Sequence, residues 1–325
     1  MVKNKKSILI TGGAGFIGSH LAEKLLGQGE EVFVIDDLST GTLENISHLK
    51  NNKKLHFIRG SVLDAKKIKK IVKNVGAVYH LAAAVGVKTI MEKPLSSFLN
   101  NIKGTEAVLE AAVPLKVPVL LTSTSEVYGK NEKIPFKEES DRIYGSAYNI
   151  RWGYGLSKTS DEFLALAYFR EKKLPIVIVR LFNVIGLRQS GAYGMVVPRF
   201  INQALSQKPI TVYGDGYQTR CFANVKDVVG GLIGLMGNAR AIGEIFNLGS
   251  DEEISIKELA QKVKKLTGSQ SKISFMPYEK AYGFGFEDML RRKPDLSKIK
   301  ELLGYRSKIT LEESIKEIIN GLSKK

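Results

Sequence analysis

The sequence predicts an α/β fold, a doubly wound parallel sheet with a smaller, interrupted domain after it. Three observations predict it. Short β-branched runs alternate with stretches long enough for crossover helices. The runs are apolar at nearly every position, as in Val32-Phe33-Val34-Ile35 and Ile176-Val177-Ile178-Val179. Strands of that kind are buried on both faces, as in a parallel sheet covered by helices. After about residue 184 the alternation stops.

In order, strands are expected at Ser7–Thr11, Glu31–Asp36, Leu55–Arg59, Ala77–Leu81, Val117–Leu121 and Ile176–Leu181. Crossover helices are expected at Gly18–Gln28, Ala65–Asn74, Pro94–Val113 and Leu156–Lys172. The later part reads as a helix at Pro198–Ser206, a short strand at Ile210–Tyr213, an amphipathic helix at Ile256–Leu266 and a closing helix at Thr310–Leu322. Glu244–Ser250 is apolar enough to return to the main sheet.

The 325 residues carry 49 Lys and Arg against 33 Asp and Glu, a net charge of +16. A chain of this length buries enough core to need no disulfide or metal staple. A single cysteine, Cys221, excludes an internal disulfide framework and a cysteine-built zinc site. His20, His48, His56 and His80 show no metal-ligand spacing, so no metal is expected. No apolar run approaches the roughly 20 residues of a membrane helix. The run Ile8–Ile10 behind the basic start is too short for a signal peptide. The chain therefore reads as cytoplasmic, with no membrane partner. The positive charge is spread out, with 16 basic against 12 acidic residues over 251–325. A nucleic-acid binder concentrates its charge in a stripe, so no nucleic-acid partner is expected. A diffuse positive field favours small anionic substrates.

The first strand runs straight into Gly12-Gly13-Ala14-Gly15-Phe16-Ile17-Gly18. Gly12, Gly15 and Gly18 have the spacing G-x-x-G-x-x-G. The first permits a tight turn, the second lets backbone approach a pyrophosphate, and the third lets helix pack closely on strand. The helix start then offers unpaired N–H groups to phosphates. Asp36 ends the second strand, where a carboxylate accepts from both ribose hydroxyls and repels a 2′-phosphate. That favours NAD over NADP. Residues 1–183 are thus expected to form an NAD-binding Rossmann domain, with about 224–250 returning to it. Residues 184–325 would mainly bind substrate.

Tyr154 and Lys158 share one helix face. A phenol of pKa about 10 is a poor base at neutral pH. An ammonium one turn away, with a nicotinamide cation, stabilises phenolate. Alone, Y-x-x-x-K also fits an ordinary amphipathic helix.

Together these motifs resemble the extended short-chain dehydrogenase/reductases that act on nucleotide sugars. The resemblance runs through TGGAGFIGSHL at 11–21, DDLSTG at 36–41, HLAA at 80–83, TSTSEVYG at 122–129, YGLSK at 154–158, RLFNVIG at 180–186 and VYGDGYQTRCF at 212–222. It implies a resident NAD that transiently oxidises sugar C4. It implies Tyr154 as the base, Lys158 as its electrostatic partner, which also bonds the nicotinamide ribose, and Thr124 as a hydrogen-bonding group on the C4 oxygen; Tyr154 and Lys158 thus also count among the cofactor-binding residues. Phe16, Ile17, Ser39, Leu81 and Ala82 fall at cofactor positions. Asn183, Tyr213 and Arg220 fall where members hold the nucleotide diphosphate and base, and Asn101 where an asparagine supports the site. The aspartate usual after the third strand is replaced by Ser61, and Asp64 is not assumed to take its place.

The outcome at the 4-keto stage depends on neighbouring side chains. Sugar 4,6-dehydratases look like T-D-E where this chain has Thr124-Ser125-Glu126. T-S-E-V-Y-G is similar to UDP-glucuronate decarboxylases, as is Arg292-Lys293-Pro294. Oxidation at C4 of a uronate makes a β-keto acid, which loses carbon dioxide because the carbanion delocalises as an enolate. Arg292 would hold the carboxylate or the enolate charge, and Glu126 would position the sugar or relay a proton. The expectation is decarboxylation of UDP-glucuronate, with UDP-sugar 4-epimerisation and then dehydration as alternatives. Glu126 also fits a helix-start charge and Arg292 a surface salt bridge. Tyr282, Phe284 and Phe286 are expected in a loop, Glu279–Met289, where they would wall the sugar pocket or anchor a lid. The resemblance further implies a homodimer through Pro94–Val113 and Leu156–Lys172.

Overall fold

The computed structural model describes residues 7–191, 195–282 and 287–322. Seven parallel strands form the central sheet. Six of them are β1 (Ser7–Thr11), β2 (Glu31–Asp36), β3 (Leu55–Arg59), β4 (Ala77–His80), β5 (Val119–Thr124) and β6 (Ile176–Leu181). The seventh, Ile245–Leu248, returns late in the chain to pair with β6, Phe246 opposite Val179. The spatial order is the seventh strand, then β6, β5, β4, β1, β2 and β3. The chain leaves β1 towards β2 on one side and resumes at β4 on the other. That switch point opens a crevice at the carboxyl ends of the strands.

Alternation within the apolar runs builds the two layers. Ile10, Val34, Leu120 and Val177 pack on one face, with Leu21 and Leu25 of helix α1 (Phe16–Gly27) and Leu232 of the helix Val225–Met236. Their chain neighbours Leu9, Ile35, Leu121 and Ile178 pack on the other. There they meet Ile68 of α2 (Ala65–Val72), Val108 of the long helix Pro94–Ala112 and Ala165 of the helix Gly153–Lys172. Each such side chain contributes roughly 1.5–3 kcal/mol when fully buried.

The later part has a core of its own. Phe200, Val212, Leu259, Val263 and Ile315 meet there, from the helices Val196–Leu205, Ile256–Leu266 and Leu311–Leu322 and the strand Ile210–Tyr213. A small sheet beside it places Thr219–Cys221 between Glu253–Ser255 and Arg291–Arg292. Its register sets Arg292 opposite Arg220.

Some boundaries differ from expectation. The fifth strand begins at Val119, after Pro118, which has no N–H to give. It continues through the polar Thr122-Ser123-Thr124, paired to Val179–Leu181. The helix expected from Leu156 begins at Gly153, fed by a 3-10 turn over Ile150–Trp152 that Asn149 caps. Glu279–Met289 is not wholly loop, because Tyr278–Tyr282 is a short helix. Phe284 and Phe286 lie outside the described residues.

Candidate active site

A cavity of about 820 Å³ occupies the crevice. Gly12, Gly15, Phe16, Ile17 and Gly18 line one end, with Asp36, Ser39, Leu81 and Ala82. The glycine cradle has no room for side chains. Gly12 has φ +69° and an added Cβ would lie 2.9 Å from the Ala82 amide nitrogen. At Gly18 it would lie 2.3 Å from the Gly12 carbonyl oxygen. Gly15 caps α1 in an extended conformation without a side chain, so the helix start faces the cavity bare. Asp36 accepts from the Leu38 amide at 2.8 Å and the Ala14 amide at 3.0 Å. Burial pushes its carboxyl up, against those hydrogen bonds. A helix start without a side-chain cap, tight glycines and an acid at the end of β2 fit a dinucleotide. Where the usual aspartate is missing, Ser61, Val62 and Leu63 line the cavity. Asp64 turns away to cap α2, accepting from the Lys67 amide.

The backbone at Leu81 and Ala82 is fixed from behind. Both amides donate to Thr11 Oγ1 at 3.2 Å. With its lone pairs taken, the Thr11 hydroxyl donates to His80 Nδ1 at 2.7 Å. His80 Nε2 then donates to Thr105 Oγ1. Burial, then the Lys158 ammonium, pushes His80 down to about 3, so the ring is neutral.

The other end of the cavity gathers the residues expected to be catalytic. Thr124 ends β5 and accepts from the Glu126 amide at 3.2 Å. Ser125, Glu126 and Tyr154 line the cavity beside it. Tyr154 lies in the first turn of its helix, and its phenol is held above its usual range by burial, then by Glu126 and Asp161. Lys158, one turn on, is buried and does not line the cavity; its Nζ donates to Asp161 Oδ2 at 2.8 Å. Asn101 is also set back. It accepts from the Ala84 amide at 2.7 Å and donates to Ser157 Oγ at 3.0 Å, tying the Ala82–Gly86 loop to the helix of Tyr154.

Asn183, Tyr213, Arg220 and Arg292 line the far wall. Asn183 donates to the Cys221 carbonyl at 3.1 Å. The Arg199 guanidinium lies 3.7 Å over the Tyr213 ring. Arg220 and Arg292, side by side in register, share a cluster with two carboxylates and a third arginine. Arg151 holds Glu126 with both terminal nitrogens, at 2.5 and 3.2 Å. Arg220 holds Asp288 at 2.7 Å. Arg292 reaches both acids only at longer range, 3.5 Å to Asp288 and 3.7 Å to Glu126. Its Nε is buried with no hydrogen-bond partner.

Burial alone would raise Glu126 and Asp288, but the arginines overcome it and hold both below the usual carboxylate range. Arg292 is pushed down to about 10, by burial first and then by Arg220. Arg151, Asp288 and Asp161 were not expected from the sequence. Arg151 stands three residues before Tyr154 and Asp288 four before Arg292, which was the signal available. Among the described residues no His, Cys, Asp and Glu group could hold a metal ion. No described helix is long and apolar enough to cross a membrane.

The chain is similar to known proteins over almost its whole length. A UDP-N-acetyl-alpha-D-glucosaminuronate decarboxylase of Bacillus cytotoxicus is 45% identical over 97% of each chain. UDP-glucuronic acid decarboxylase 1 of Arabidopsis thaliana is 38% identical over 98% of this chain and 70% of that one. Among solved structures, UDP-glucuronic acid 4-epimerase from Bacillus cereus, in complex with UDP-glucuronic acid and NAD, superposes with a TM-score of 0.88. It is 33% identical and covers 98% of this chain and 99% of that one. The family model described as GDP-mannose 4,6 dehydratase matches residues 9–318. By that match the chain belongs to the GDP-mannose 4,6 dehydratase family, within the extended short-chain dehydrogenase/reductases.

Proposed function

We propose that this NAD-dependent nucleotide-sugar enzyme decarboxylates a UDP-linked uronic acid, as its relatives' names describe for them. The observation that carries this is the charge cluster beside Tyr154. Arg151 is matched to Glu126 and Arg220 to Asp288, which leaves Arg292 as the excess guanidinium in a buried wall. A sugar carboxylate fits that excess, because a guanidinium takes a carboxylate in a fixed two-pronged geometry. A neutral sugar offers it hydroxyl oxygens but no charge to match.

Gly12, Gly15, Phe16, Ile17, Gly18, Asp36, Ser39, Leu81 and Ala82 would hold the dinucleotide against residues 1–183. Asn183, Tyr213 and Arg220 would hold the nucleotide diphosphate in the later part. Bound NAD supplies hydride acceptance from sugar C4 and its later return. Tyr154 takes the proton of the C4 hydroxyl, and Thr124 hydrogen-bonds the same oxygen. Arg292 holds the carboxylate β to the new ketone. Cleavage of C5–C6 releases carbon dioxide and leaves its electron pair as the C4–C5 enolate. Thr124 and the Tyr154 phenol steady the enolate oxygen, and a proton from water closes C5. Glu126 is ionised and committed to Arg151, so it aims Arg292 and does not donate the proton. Ser125 stands where a 4,6-dehydratase would need its acid, which argues against loss of water.

Incubation with UDP-glucuronate and with UDP-N-acetylglucosaminuronate, followed by mass spectrometry, tests the reading. Loss of the mass of carbon dioxide from either is the expected result. An isobaric product would instead favour 4-epimerisation, the activity in the name of the Bacillus cereus structure. Loss of water would favour dehydration. We also infer a homodimer, formed through Pro94–Ala112 and Gly153–Lys172. Exposed Leu95, Leu156 and Phe163 on those two packed helices support it.

A further inference from the structure

The wall that holds Tyr213 carries a guanidinium that no acid answers. Arg199 stands in the first turn of the helix Val196–Leu205 and lines the cavity. Its guanidinium carbon lies 3.7 Å from the centre of the Tyr213 ring. Its Nε and Nη1 are buried with no hydrogen-bond partner. Among the described residues it has no ion pair, unlike Arg151 and Arg220. Two shut-in N–H groups of a cation cost more than a cation–π contact returns. The guanidinium is therefore poised to leave the ring for a hydrogen-bond acceptor.

The ring beneath it is held from behind. Gln218 Nε2 donates to the Tyr213 carbonyl at 2.7 Å and to the Tyr278 hydroxyl at 2.9 Å. A carbonyl can only accept, so the Gln218 amide is fixed in that orientation. Its Oε1 is left buried and unpartnered. A flat ring, spare donors and a spare acceptor thus share one wall of the cavity. Uracil has a matching edge, a ring N–H between two carbonyls. Cytosine, of the same size, has a lone pair in place of that N–H and an amino group in place of one carbonyl.

We propose that Arg199 and Gln218 select uracil over cytosine in the nucleotide of the substrate. The base stacks on the Tyr213 face that the guanidinium now covers. Arg199 turns to donate to a base carbonyl, and Gln218 Oε1 accepts from the ring N–H. Cytosine in the same place sets donor against donor and lone pair against lone pair, and buried groups left unpaired in this way are costly. The proposal rests on the reading of Tyr213 as part of the nucleotide site, and not on which bond of the sugar breaks.

Calorimetric titration of the NAD-loaded enzyme with UDP and with CDP tests this, because the two share ring size and diphosphate charge. The parent should bind UDP about tenfold or more tighter than CDP. Arg199→Met keeps a long side chain against the ring and removes the donors. It should weaken UDP about tenfold and CDP little, so that the preference collapses. Arg199→Leu carries the same expectation should the Met variant not fold. A parent that binds both nucleotides alike overturns the proposal without any variant. Equal weakening of UDP and CDP would assign Arg199 to the diphosphate and also overturn it, as would unchanged UDP binding. UDP carries no uronate, so the outcome is separate from the carbon dioxide measurement. An enzyme that decarboxylates yet shows no preference sinks this proposal alone. One that prefers UDP yet leaves both uronates intact sinks the proposed reaction alone.

Discussion

Arg292 is the side chain whose surroundings least resemble a finished salt bridge. It is buried, next to another arginine in register, and shares two acids that are already matched. Arg292→Ala should lower decarboxylation about 10²- to 10³-fold while bound NAD is retained, as carbon dioxide release and cofactor absorbance will report. Arg292→Lys should rescue little, since an ammonium lacks the planar fork. Glu126→Gln should harm the same step, because Arg151 and Arg292 would then face each other without the charge between them. Gly12→Ala tests the other end of the cavity. Its φ of +69° and the 2.9 Å approach to Ala82 leave no place for a methyl group. The purified variant should hold far less NAD, read from its absorbance after denaturation.

At the scale of elements, β5, β6 and the helix Gly153–Lys172 are locked by ions beneath the site. Glu162 accepts from Arg180 at 2.8 Å through both oxygens, from Arg142 at 2.6 Å and from Ser123 at 2.6 Å. Arg180 also donates to the Tyr128 hydroxyl, which donates to Asn247 of the returning strand. Glu162→Gln leaves the buried Arg180 uncompensated and should cost about 3–5 kcal/mol in denaturant unfolding. Burial would raise the Glu162 carboxyl, but Arg180 holds it below the usual range. Its contribution is therefore complete above the ordinary glutamate pKa and is lost as pH falls through the lower folded value. The variant should show a shallower acid-unfolding slope by circular dichroism.

The sequence disclosed these elements unevenly. Apolar runs marked the strands because successive residues feed opposite layers. They missed the polar end of β5, since Ser123 and Thr124 are held by pairing and hydrogen bonds that no hydropathy pattern carries. Gly153 and Gly155 hid the start of the helix of Tyr154, glycine being a poor helix former. Gly12, Gly18, Tyr154 and Lys158 were legible because each motif sits within a single turn or helix. Arg151 and Asp288 were not. Their partners Glu126 and Arg220 lie 25 and 68 residues away, brought together by tertiary pairing alone.

For the whole molecule, the two packed helices Pro94–Ala112 and Gly153–Lys172 show an apolar face to solvent. Phe163 is 77% exposed and Leu95 72%. Phe163→Glu should halve the mass seen by light scattering if this face joins two copies, and leave it unchanged if it does not. The uneven count of arginines and acids also bears on turnover. In the proposed reaction carbon dioxide leaves neutral and the carboxylate's charge passes to the enolate, where a proton quenches it, so the pentose that remains no longer carries the charge that Arg292 was left over to meet. The site grips what it consumes and loosens on what it makes. The inhibition constant of the UDP-pentose should therefore stand well above the Michaelis constant of the uronate, and Arg292→Ala should draw the two together.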